Sequence, residues 1–147
     1  MKYLGLAITL FAVAVAMQAK AEPVLLSLNA DQLRELELDS IPPWPAELVL
    51  SGTNKHWQKI LHQGEFVVAV YEAEAAVIDV SYPFPYDEYV LVLEGEVTLT
   101  STAGDKQTYR LEDSFVVAKG WAGTWAMPFT YRERIVVETA AWIASEE

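Results

Sequence analysis

The residues best suited to chemistry in this chain are aromatic and acidic. Tyr82-Pro83-Phe84-Pro85-Tyr86 sets three rings on alternate positions, with prolines between them. Alternating prolines force an extended path and remove backbone donors, leaving a stiff aromatic ribbon. Trp121 and Trp125 follow some forty residues later. Aromatic walls with a few polar groups bind rings, sugars and cationic molecules. Glu72, Glu88, Arg110 and Lys119 could supply the polar groups. The ligand-binding candidates are therefore Tyr82, Phe84, Tyr86, Glu88, Lys119, Trp121 and Trp125. The plainer reading is that the rings fill a core.

Glu88 is the candidate catalytic residue. A carboxyl among aromatic rings can gain proton affinity and act as general acid or base. Asp87 cannot serve as its dyad partner, because neighbours on a strand point to opposite faces. The sequence suggests Arg110 or Lys119 as a buried partner instead. The two histidines, His56 and His62, could join Glu72, Asp79 or Glu88 at a metal; the alternative is local hydrogen bonding in a loop or edge strand. Arg132-Glu133-Arg134 reads as a solvated strand face with surface ion pairs. The chain has no G-x-S-x-G, no glycine-rich phosphate loop and no H-E-x-x-H.

Composition narrows the classes. The chain has 147 residues, with 10 Lys+Arg against 21 Asp+Glu and a formal charge of −11. Such a balance repels phosphate backbones, so nucleic acid is not an expected partner. Without cysteine there are no disulfides and no thiolate chemistry. The length suits one domain, and a hydrophobic content of 52% argues against disorder.

Residues 1–21 read as a secretory signal peptide. Lys2 precedes an apolar run from Leu4 to Met17, and Ala19-Lys20-Ala21 supplies a small-residue cleavage signal. The run is shorter than the roughly 20 residues of a membrane span. Cleavage would remove two lysines and no acid, leaving 8 basic and 21 acidic residues and a charge of −13. The expected location is periplasmic or secreted, with no stable membrane anchor after cleavage.

Residues 22–46 form an N-terminal arm. Asn29 or Asp31 can cap a short helix carrying Leu33, Leu36 and Leu38. Ile41-Pro42-Pro43-Trp44-Pro45 then forbids regular structure, and Trp44 is expected to dock the connector on the main body. Residues 47–147 are read as a β-barrel domain. Alternating runs appear at Phe66–Tyr71, Ala76–Val80, Val90–Leu93, Val97–Thr100, Tyr109–Leu111, Phe115–Val117, Thr124–Met127 and Ile135–Val137. Turn signals recur at roughly 8–12-residue spacing, as in all-β sandwiches and barrels. Glu94-Gly95 and Ala103-Gly104-Asp105 read as hairpin turns. No helical periodicity of useful length appears after residue 46. Trp142 and Ile143 are expected to pack back on the barrel or form a dimer contact.

Asp87-Glu88-Tyr89-Val90-Leu91-Val92-Leu93-Glu94-Gly95-Glu96 resembles the first motif of the cupin superfamily. Leu111-Glu112-Asp113 through Lys119-Gly120-Trp121-Ala122-Gly123-Thr124-Trp125 resembles the second, in the form found in the DUF861 or cupin 3 group, which includes the ureidoglycine aminohydrolase cupins. The resemblance covers about residues 57–140. It implies an all-β, cupin-type double-stranded β-helix, that is, a small antiparallel jelly roll. It also implies dimerisation, with an arm that could swap between subunits. Many cupins hold a divalent metal through three His and one Glu. Of those positions only Glu88 matches; the others are Tyr82, Phe84 and Gly123. The motif positions Ala76, Glu112 and Ala118 also depart from the pattern. One carboxylate does not hold a transition metal. The expectation is therefore a protein with no predicted cofactor, a divalent metal remaining an alternative although the usual ligands are absent, binding a small molecule at the barrel mouth. The alternatives are an aminohydrolase-like enzyme acting on a small polar metabolite and a dimerising scaffold.

Overall fold

Alternation of apolar with polar residues drives most of this chain into strands. The computed structural model describes residues 23–145. The signal-peptide reading, residues 1–21, lies outside the described residues. The arm carries α1 (Ala30–Arg34), capped by the Asn29 side chain, which accepts from the backbone N–H of Asp31 and Gln32. It continues as β1 (Asp39–Ile41) and a 3-10 turn at Ala46–Leu48. Then come β2 (Val49–Gly52), β3 (His56–Gln63), β4 (Phe66–Ala73), β5 (Ala76–Val80) and β6 (Glu88–Glu94). β7 (Glu96–Ser101), β8 (Lys106–Arg110), β9 (Ser114–Val117), β10 (Gly123–Met127) and β11 (Tyr131–Glu138) follow. The helix α2 (Thr139–Ser145) closes the described chain.

The strands form two antiparallel sheets, ordered β1-β3-β4-β11-β6-β9 and β2-β5-β10-β7-β8. This is the expected jelly roll. The core lies between the sheets. Val67, Ala69, Val90, Val92, Ile135 and Val137 from one sheet meet Ile78, Val97, Leu99, Trp125 and Met127 from the other.

The six-stranded sheet is covered on its outer face as well. Leu33 packs with Val70 and Leu93 there, joined by Leu28, Leu36, Leu38, Leu61 and Leu91. Burial on both faces explains why Val67–Val70 is apolar without a break. Burying Leu33 contributes about 2 kcal/mol. Trp44 docks as expected, through its backbone N–H to Asn54 Oδ1 at 2.9 Å.

Two expectations need correction. Glu94-Gly95 is not a hairpin, since β6 and β7 belong to different sheets. Gly95 has φ +74, and a Cβ there would stand 2.3 Å from the Thr130 carbonyl oxygen. It turns a corner where no side chain fits. Ile41 belongs to a strand despite the prolines that follow, because only prolines lack the N–H that a ladder needs; it pairs with His56. The short helix α2 is compatible with the absence of any helical period of useful length after residue 46. At 7 residues it is too short to show a helical period, and buried Trp142 anchors it.

Candidate functional site

Glu88 and Glu133 reach the same side of the six-stranded sheet by simple alternation. On β6, Glu88 shares a face with Val90 and Val92. On β11, Glu133 shares one with Tyr131, Ile135 and Val137. Both are buried. They line a cavity of about 450 Å³ between the sheets, which falls in the size range of small-molecule sites. Ile78, Val80, Met127, Ile135 and Trp142 form its apolar lining. Phe84, Tyr86 and Trp125 contribute rings, with Phe84 and Tyr86 edge-to-face at 5.3 Å. The arm completes the wall with Ile41, Pro42, Trp44 and Pro45.

The acids hold their protons unusually tightly. Burial raises Glu133 to about 7, against the opposing pull of a 2.6 Å hydrogen bond from the Tyr131 hydroxyl. Burial also pushes Glu88 well above the usual carboxylate range, and the Glu133 charge adds to the effect. Tyr71 and Tyr131 are raised for the same reason, burial first.

Behind Tyr71 lies a polar ring that fixes the arm. Asn54 Nδ2 donates to the Trp44 carbonyl oxygen at 2.8 Å, and Asn54 Oδ1 accepts from the Trp44 backbone N–H. With the amide so oriented, His56 Nε2 at 2.8 Å must be the donor to Oδ1. His56 Nδ1 then accepts from the Tyr71 hydroxyl at 2.6 Å, and that hydroxyl accepts from Trp44 Nε1 at 3.3 Å. Burial lowers the His56 pKa, which suits this neutral tautomer. His56 is thus a buried structural group, and His62 lies near the surface against Phe66.

Tyr82, Phe84, Tyr86, Glu88 and Trp125 all border the cavity, with Tyr82 largely exposed. Lys119 and Trp121 are not among the lining residues. They sit on the turn before β10, where the Trp121 carbonyl accepts from the Phe84 N–H at 2.7 Å and the Lys119 backbone N–H donates to Asp87 at 2.8 Å. The backbone of that turn pins the ribbon, while the Lys119 side chain is exposed and Trp121 packs half-buried against the core outside the cavity lining. The expected buried cation beside Glu88 is also corrected. Arg110 pairs with Glu96 at 3.1 Å, and Lys119 is exposed.

The sequence reading missed Glu133 and misplaced Arg132. Neither is solvated. Arg132 bonds Glu72 at 2.6 Å and the carbonyls of Leu33, Arg34 and Leu36, so it clamps the arm.

The residues here do not fit the family's metal centre. Gly123 stands at a ligand position, and a Cβ there would lie 2.0 Å from the Thr100 carbonyl oxygen. Both histidines lie outside the cavity lining. Among the described residues no three His, Cys, Asp or Glu side chains gather where they could hold an ion.

The comparisons agree with this architecture. The model of the EutQ-like cupin domain matches residues 61–134, half of the chain. The chain belongs to the EutQ-like cupin family. A DUF861-family protein of unknown function from Pseudomonas syringae pv. tomato superposes with a TM-score of 0.65 at 20% identity; the match covers 71% of this chain and 45% of that one. This cupin therefore spans under half the length of that relative. A putative ethanolamine utilization protein Q from Salmonella typhimurium superposes at 0.52 with 20% identity, over 59% of this chain and 72% of that one. The Clostridium difficile EutQ protein does so at 0.52 with 21% identity, over 60% and 71%. At these identities the likeness is one of fold. No curated protein sequence matches this cupin.

Proposed function

We propose that this cupin is an exported, metal-independent protein that binds a small molecule in the cavity between its sheets. The observation that carries the reading is the cavity itself, about 450 Å³, walled by aromatic rings and floored by two buried carboxyls. A scaffold would have this space packed solid. Export rests on the charged, apolar and small-residue pattern of residues 1–21.

The test is titration of the purified protein with N-phenyl-1-naphthylamine, a neutral apolar fluorophore. Saturable one-site enhancement is expected, and Val80→Trp, which fills the lining, should remove it. Unsaturable or absent enhancement would overturn the reading. Near-stoichiometric metal in protein purified without tag or chelator would overturn its metal-independent part.

A second reading is favoured by the raised proton affinity of Glu88 and Glu133. A carboxylic acid that stays protonated near neutral pH can serve as a general acid, and its conjugate base can take the proton back. Under this reading the protein turns over a small polar metabolite, as the aminohydrolase cupins do. Glu88→Gln would then abolish turnover while leaving the fluorophore bound.

A further inference from the structure

The lining of the cavity carries three acids, Asp79, Glu88 and Glu133, and no Lys, Arg or His. Glu88 and Glu133 lie at 5% and 4% exposure, on different strands. Two acids buried in one space repel when both ionise, and burial alone disfavours each charge. Elsewhere in this protein a buried charge meets its opposite: Arg132 is bonded to Glu72. Arg132, Arg34 and Arg110 are engaged elsewhere, Arg132 by Glu72 and the arm carbonyls, Arg34 by the Leu93 carbonyl and Arg110 by Glu96. The missing countercharge is one that a ligand could bring. The walls suit such a ligand, since ring faces attract cations and apolar surface receives a hydrocarbon body.

We infer that the cavity takes a small organic ammonium ion, its charged nitrogen between Glu88 and Glu133 and its apolar part against Phe84, Tyr86 and Trp125. This rests on the binding reading above and names its ligand class. Binding needs at least one of the acids ionised, so it is coupled to proton release. Glu133, at about 7, is the group that titrates in the useful range. Tyr131 donates to it from its own strand, and the titratable groups that share its cavity are Glu88 from β6, Tyr71 from β4, and Asp79, Tyr82 and Tyr86 from β5 and the ribbon. Among these no cation competes with the ligand.

The experiment is displacement of bound N-phenyl-1-naphthylamine by 2-phenylethylamine and by its neutral analogue 2-phenylethanol, at pH 8 and pH 5.5. At pH 8 the amine should compete at least about tenfold better than the alcohol. At pH 5.5, with the acids protonated, that preference should shrink several-fold. Glu133→Gln should cut the preference at pH 8 and leave the alcohol unchanged. Equal competition by amine and alcohol at pH 8, with the fluorophore bound, would overturn the inference and leave the cavity reading standing. Failure of the fluorophore to bind would overturn both. A preference for the amine that is the same in Glu133→Gln and at both pH values would place the cation elsewhere and also overturn it.

Discussion

Arg132 and Glu133 are adjacent on β11, and both are buried, at 9% and 4% exposure. Arg132, on the outer face, is saturated by a carboxylate and three backbone carbonyls. Glu133, on the inner face, accepts from the Tyr131 hydroxyl and borders open space. A buried charge with its bonding capacity filled holds a structure together. A buried acid beside a void keeps bonding capacity unused, the capacity assigned above to a ligand. One strand thus supports the arm with one face and lines the cavity with the other.

Removing the saturated charge should have the largest effect. Arg132→Met should destabilise the protein by about 3–5 kcal/mol in urea unfolding, because Glu72 and the arm carbonyls lose their donor together. A loss under 1 kcal/mol would mean the clamp is incidental.

Removing the reserve charge should act in the opposite direction. Glu133 is raised from 4.5 to about 7, so its folded form holds the proton more tightly than the unfolded chain does. Its contribution is fully present below about 4.5 and is lost as pH rises through about 7. Glu133→Gln should therefore stabilise the protein by on the order of 3 kcal/mol at pH 8, and by under about 1 kcal/mol at pH 5. His56 pulls the other way: its lowered pKa costs stability as pH falls below 6.5. The informative quantity is thus the difference between variant and wild type at each pH. A difference that does not change with pH would remove Glu133 from the titrating pair.

Loosening the arm should matter less. Asn54→Ala removes two bonds to Trp44 and one to His56, for about 1–3 kcal/mol. It should also weaken fluorophore binding, since the arm walls the cavity. The smallest effect belongs to Lys119→Ala, within about 0.5 kcal/mol and with unchanged fluorophore affinity. A tenfold loss there would return Lys119 to the site.

Much of the barrel was legible because alternation is a property of the chain itself. The runs at 66–71, 76–80 and 97–100 each became a strand. β3 was harder to see, because His56-Trp57-Gln58-Lys59 mixes polar and apolar residues, and its burial depends on the arm and β4. Of the site, the sequence offered Glu88 and the aromatic ribbon. Glu133 was hidden between two arginines, and a triplet of charges resembles a surface. The signal was present all the same: counting by twos from Tyr131 passes through Glu133 to Ile135 and Val137, an apolar face with one acid in it. That Lys119 and Trp121 stay out of the cavity lining was not legible, since a turn's backbone path determines it.

The arm also shapes one edge of the six-stranded sheet. β1 closes the ladder of β3 at His56–Gln58, and Pro42-Pro43 end it at once. A three-residue strand stopped by prolines is a poor template for another chain to extend. The same segment forms part of the cavity wall, so any excursion that lifts it to admit a ligand also bares a sheet edge. An occupant that holds the arm down would therefore act as a brake on self-association.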